Sequence, residues 1–219
     1  MKLTDSLFNQ LKEGNMDFGR LSDRQLWKEI TEGNQHAFSY LYETTSDSLF
    51  SYGYKFSGEK TLIEDVIQDV FIVIWEKRDR LTISHSIKFY LFTTFRREIM
   101  NRLQGDRGQR QGLEKFHEES YWEASIQEVL VQRQVTIDSG KHVREAMKIL
   151  TNRQREVIYL KYLEGLSYEE ISEMMDVKVP YLYNLVLKGL KSLKSHFVSN
   201  GIINTLRSIF IVISLKWFC

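Results

Sequence analysis

Proline is almost missing from this chain: Pro180 is the single one in 219 residues. Strict apolar–polar alternation built on β-branched residues is missing too. Strands therefore lack support, and an all-α fold is predicted. Cysteine occurs once, at Cys219. That excludes an internal disulfide framework and fits a reducing compartment, so a cytoplasmic location is expected. The opening stretch, MKLTDSLFNQLKEGNMDFG, has no apolar h-region of the kind a secretory signal needs. In the apolar tail GIINTLRSIFIVISLKWFC, the uncharged run Ser208 to Leu215 falls far below the ~20 residues that span a bilayer. Packing on the domain is the favoured role for that tail, with a weak membrane or partner contact as the other. Neither GxGxxG nor GxxxxGK[ST] occurs. The histidines His36, His85, His117, His142 and His196 are scattered, with no ligand-spaced Cys or His partner. No catalytic residue, metal, cofactor or small-molecule substrate is expected. Glu169 and Glu170 are better explained as charges at a helix N-terminus than as an acid–base pair.

What is present is helical periodicity and unevenly placed charge. Thirty Lys and Arg against twenty-nine Asp and Glu leave a net charge of only +1. Local basic faces are implied rather than a uniform cationic coat. The most informative stretch is LSYEEISEMMDVKVPYLYNLVLKGLKSLKSHF, Leu166 to Phe197. Ser167 and Glu170 form a capping box, and Ile171, Met174 and Met175 make an apolar stripe. Asp176 to Val179 breaks the helix, and Pro180 sits near the first turn of the next. On that second helix Leu182, Val186, Gly189, Leu190, Leu193 and Phe197 share one face. Tyr181, Asn184, Lys188 and Lys191 lie opposite, with Lys194 at the margin. No Asp or Glu follows Asp176. Such a helix suits the DNA major groove, where Lys meets phosphate or guanine and Asn can bridge adenine. An ordinary α-hairpin with a solvated lysine face reads equally well from these residues.

Upstream, residues 1–22 look like an extension. DRQLWKEITEG predicts a short helix ending at Gly33, and NQHAFSYLYETTSDSLFSYGYKFSG a longer one closed by Gly58. Its aromatics fit a core better than a nucleobase platform, because their spacing is helical. KTLIEDVIQDVFIVIWEKRDR predicts a helix of about five turns. Asp65, Gln68, Asp69 and Ile72 fall on one outer face by i, i+3, i+4 spacing. That face can be plain solvated surface or can dock a basic partner. After a polar loop, IKFYLFTTFRREIMNRLQ buries Leu91, Phe92, Phe95, Ile99 and Leu103. Tyr90, Thr93, Thr94, Arg97 and Asn101 stand opposite. Eight Lys or Arg against three acids between Arg78 and Gln111 fit a phosphate-tracking, base-stacking surface, or a solvated basic helix. QGDRGQRQG signals a helix end and the start of a linker, which the acidic run LEKFHEESYWEASIQEVL continues. Helical pattern returns near Ser125. In TNRQREVIYLKYLEG, Thr151 and Gln154 form a second capping box and Gly165 is the stop.

Together the two halves resemble the bacterial RNA polymerase sigma factors of the extracytoplasmic-function (ECF) type, in the sigma-70 family. The resemblance spans roughly Asp23 to Phe197. Its most specific pieces are EDVIQDVFIVIWEK and LTNRQREVIYLKYLEGLSYEEISEMMDV, with AFSYLYETTSDSLFSYGYKFSG and SIKFYLFTTFRREIMNRL matching the flanking helices. PYLYNLVLKGLKSL looks like the iron-citrate-regulator subgroup of Bacteroidetes.

The resemblance implies two small helical domains joined by a flexible acidic linker, the second domain a helix-turn-helix. Its expected boundaries are 1–22 extension, 23–104 region 2, 105–124 linker, 125–200 region 4 and 201–219 tail. It implies that Asp65, Gln68, Asp69 and Phe71 grip the β′ clamp helices of core RNA polymerase, the β subunit being a further contact. Arg80, Thr82, Ser84, His85, Lys88, Tyr90, Arg97 and Asn101 would open and read the −10 element, with one base flipped into a pocket beside the loop. Lys178, Tyr181, Asn184, Lys188, Lys191 and Lys194 would read the −35 element as duplex. Promoter DNA and an anti-sigma factor are the further partners it implies, and the linker would thread through the polymerase toward the RNA exit path. Departures are Asn152 where the family usually has Pro, Lys178 where a small polar N-cap is usual, and the tail beyond Gly201. The competing reading is a helix-turn-helix operator-binding regulator that works without polymerase.

Overall fold

The structure, a computed structural model, describes residues 17–83, 85–109 and 146–199. Among these residues every regular element is a helix, in keeping with the all-α expectation. The α-helices are α1 (Asp23–Thr31), α2 (Gln35–Gly53), α3 (Lys60–Lys77), α4 (Ile87–Gln109), α5 (Asn152–Ile158), α6 (Tyr168–Met175) and α7 (Val179–Ser199). Contacts divide the chain into two compact units, Met1–Phe50 with Lys60–Gln109 and Ser51–Glu59 with Arg110–Cys219.

In the first unit, local chemistry sets the helix starts. Ser22 accepts from the Gln25 amide while the Gln25 side chain accepts from the Ser22 amide, a complete capping box. Asn34 Oδ1 accepts from the amides of His36 and Ala37 at the start of α2. α4 is capped from two directions. Ser86 Oγ accepts from the Phe89 amide at 3.0 Å. The Asp23 carboxylate, 64 residues upstream, accepts from the Ile87 amide at 2.7 Å. α3 then packs on α4. Ile63, Val66, Ile67, Val70, Phe71 and Ile74 of α3 are buried, as are Leu91, Phe92, Phe95 and Ile99 of α4. Each such side chain contributes about 1.5–3 kcal/mol when fully buried.

Two boundaries differ from the sequence reading. α2 ends at Gly53, and hydrogen-bonded turns carry the backbone through Phe56 and Ser57. Gly58 therefore does not close the helix. α4 continues to Gln109, passing Gly105 and Gly108. Glycine weakens a helix by only about 1 kcal/mol, which does not end it there. The rest of the linker, the 125–145 segment and the tail lie outside the described residues.

In the second unit, Thr151–Gln154 and Ser167–Glu170 are both complete capping boxes. α5 runs on into a π-helical turn over Tyr159–Leu163. Gly165, at φ +78°, reverses the chain toward α6. α6 ends on Asp176, which takes the left-handed conformation at φ 52°. Aspartate tolerates that region better than most side chains. α7 lays Leu182, Val186, Gly189, Leu193 and Phe197 inward, as the wheel predicts, while Leu190 of the same face is only half-buried. A Cβ on Gly189 would lie 2.8 Å from Ile158 Cδ1, so α7 and α5 approach closely at this point. A buried polar cluster also belongs to this unit. The Tyr52 hydroxyl donates to Glu156 at 2.9 Å, Lys55 pairs with the same carboxylate, and the Tyr52 and Tyr159 rings stack.

Candidate nucleic-acid and polymerase interfaces

Three surfaces collect the candidate residues. The first is the outer face of α3. Asp65, Gln68 and Asp69 are exposed one turn apart, and Ile72 beside them is 52% exposed. Phe71, expected at this face, is not there. It is 4% exposed, with the rings of Phe38 and Tyr42 edge-on to it at 5.8 and 4.9 Å. The helical turn that puts Asp65, Gln68, Asp69 and Ile72 outward rotates Phe71 into the core. Asp69 is paired with Arg102 of α4, which also bonds Glu98 at 3.2 Å. Burial opposes the Arg102 charge, but the hydrogen bonds to Glu98 and Asp69 outweigh it and raise its pKa.

The second surface begins at the end of α3 and follows α4. Arg80, Thr82, His85, Arg97 and Asn101 are exposed, and Lys88 and Tyr90 are half-buried. Ser84 lies outside the described residues. The His85 ring meets Phe89 edge-on at 5.0 Å, tying the loop to the first turn of α4. With the Asp23 cap on Ile87, the helix start is held from both its own loop and α1. Basic and aromatic groups are thus presented along one helix from a fixed origin, which suits a single strand of nucleic acid.

The third surface is α7. Lys178, Tyr181, Asn184, Lys188, Lys191 and Lys194 are all exposed. The carbonyl of Lys178 accepts from the amides of Tyr181 and Leu182 at 2.9 and 3.3 Å, so Lys178 does occupy the N-cap position. Its ammonium cannot accept a hydrogen bond from the orphan amides. One flank of α7 carries Tyr183 and Leu187, both exposed, which the sequence reading did not assign to any site. Tyr183 packs against Tyr168, the rings 4.2 Å apart between centroids and tilted by 35°. Burial pushes the Tyr168 phenol well above its usual pKa, and the neighbouring Tyr162 adds to the shift. The Tyr168 phenol is therefore neutral at any physiological pH.

The chain, with an amphipathic helix-turn-helix following a separate basic, aromatic helix and an acidic face, is similar to known proteins. The family model for Sigma-70 region 2 matches residues 41–108, and that for Sigma-70, region 4 matches residues 142–193. The two cover more than half of the chain. The ECF RNA polymerase sigma factor SigK of Mycobacterium sp. (strain JLS) is 23% identical over 174 residues, covering 78% of this chain and 88% of the relative. SigK of Mycobacterium bovis (strain BCG / Pasteur 1173P2) is 22% identical over 171 residues, covering 78% and 90%. Among solved structures, CnrH in complex with the cytosolic domain of CnrY aligns with a TM-score of 0.52 at 20% identity, covering 81% of this chain and 97% of that one. This last likeness concerns the fold, two helical domains of which the second is a helix-turn-helix.

The chain belongs to the sigma-70 family, as an ECF-type factor. Its function is that of the class: it binds core RNA polymerase and directs promoter-specific initiation of transcription. No described helix is long and apolar enough to cross a membrane.

Proposed function

We propose that the three surfaces divide promoter use among them. Asp65, Gln68, Asp69 and the exposed Ile72 dock on the β′ clamp helices. The basic loop and helix from Arg80 to Asn101 capture unpaired −10 bases, and that capture supplies the free energy of melting. α7 reads the −35 element as duplex. The domains proposed to carry these surfaces are 23–104, whose last helix runs on to Gln109, and 125–200, with the acidic segment between them as linker. The observation that carries this reading is α7 itself. It buries Leu182, Val186, Gly189, Leu193 and Phe197, its outer face is cationic, and no Asp or Glu follows Asp176. A face of that kind gains from counterion release on DNA. The PYLYNLVLKGLKSL helix supports placement in the iron-citrate-regulator subgroup of Bacteroidetes. CnrH was solved with CnrY; an anti-sigma factor is the corresponding partner proposed here, with the protein held in the cytoplasm.

Run-off transcription with purified core polymerase, with and without this protein, tests the reading. Core-dependent initiation is expected only when the protein is present. For α7, Lys188→Ala and Lys191→Ala should each weaken −35 binding and lower the salt slope by about one. An unchanged slope removes the phosphate contacts.

A further inference from the structure

Leu187 is the most exposed large apolar side chain among the described residues, at 65%. It does not sit on a neutral surface. Asn184 and Lys191 are one turn away on either side, Lys188 adjoins it, and Lys194 lies two turns along the same flank. Tyr183, at i−4 and 48% exposed, extends the apolar strip toward the N-terminal end of the helix. That strip is braced from beneath. Tyr183 packs at a tilt against Tyr168, and Lys161 sits over the Tyr168 ring at 4.7 Å while donating to the Leu166 carbonyl at 3.2 Å. The turn before α6 thereby fixes the outer edge of α7.

An apolar spot framed by lysines and an asparagine, with no acid after Asp176, needs a partner that is polyanionic yet carries a small apolar group. Major-groove base edges carry one such group, the 5-methyl of thymine, within reach of phosphates that the lysines neutralise. We propose that Leu187 is a specificity-determining residue that contacts a thymine methyl in the −35 duplex, with Tyr183 as its positioning residue. This rests on α7 being the duplex-reading helix. A protein partner with an apolar patch is the competing occupant, and the charge pattern favours DNA.

The test uses holoenzyme containing the full chain. Promoter duplexes are first recovered by that holoenzyme from a randomised library. Each thymine of the −35 region is then replaced in turn by uracil, which removes only the methyl group. Wild-type holoenzyme should lose about four-fold in affinity at one position, the ratio for one methyl group withdrawn from burial. Leu187→Ala should lose about as much on the unmodified probe and should be indifferent to uracil at that position. Its exposed location leaves the fold intact, which a matching thermal transition verifies. Tyr183→Ala should reduce the uracil effect without abolishing duplex binding. If wild type ignores uracil at every position, or Leu187→Ala keeps the full uracil effect, the Leu187 contact is overturned while a Lys188→Ala defect still upholds duplex reading. If Lys188→Ala and Lys191→Ala also leave −35 affinity and its salt slope unchanged, both the contact and the reading of α7 fall. A Leu187→Ala variant that loses only anti-sigma binding, with a flat uracil series, transfers the strip to a protein partner.

Discussion

Two ion pairs of the same chemistry sit in opposite environments. In the second unit, Lys55 and Glu156 are 10% and 3% exposed, and Tyr52 donates a further bond to the carboxylate. In the first, Arg102 and Asp69 are 28% and 52% exposed. Removing one member of the buried pair strands a charge in a low-dielectric interior. Removing one member of the surface pair leaves a charge that water solvates, at a cost of a few tenths of a kcal/mol. The first pair is therefore tied to the integrity of its unit. The second leaves Asp69 available for a partner at almost no structural cost.

The largest expected effect breaks the buried pair. Glu156→Ala should destabilise the second unit by about 3 kcal/mol, seen as loss of hydrogen-exchange protection in α5 while α3 amides keep theirs. Gly189→Leu should follow at about 2 kcal/mol, because the close approach to Ile158 leaves no room. Gly189→Ala should cost much less, since only the end of the Ile158 side chain must swing away. Urea unfolding of the two variants gives that ordering. Asp69→Arg tests the surface pair. Affinity for core polymerase should fall ten-fold or more, equivalent to about 1.4 kcal/mol, while the midpoint of unfolding barely moves. Equal competition for core enzyme by variant and wild type would remove Asp69 from the docking face. The smallest effect concerns Lys178. Lys178→Ser supplies the missing acceptor and should stabilise α7 by about 0.5–1 kcal/mol. If the lysine instead touches phosphate, the same change lowers the salt slope of promoter binding by about one.

Much of this architecture is legible in the chain because it is local. The boxes at Ser22, Thr151 and Ser167 set helix starts within four residues, and the 3.6-residue period orients α7 without tertiary knowledge. The same period put Ile72 outward beside Asp69, whereas family resemblance put Phe71 there; the structure agrees with the period. What could not be read is non-local or cooperative. Nothing near Ile87 shows that Asp23 caps it. The Arg102 guanidinium gives no sign that its partner lies 33 residues back. The extension of α4 past Gly105 reflects a helix already propagating when it meets its weak residues, which costs less than starting one. The exposed strip of Tyr183 and Leu187 lies on the flank between the buried and the cationic face, where a two-sided wheel assigns no role.

The Asp23 cap has a consequence for how the first unit can be cut. The family match begins at residue 41. A fragment trimmed to that start would delete the carboxylate that holds the Ile87 amide and would release the leading edge of α4. Its binding would then report a frayed origin rather than the chemistry of Arg80 to Asn101. The shortest faithful fragment of this domain must begin at or before Ser22, the residue that in turn caps α1 and sets Asp23 in place.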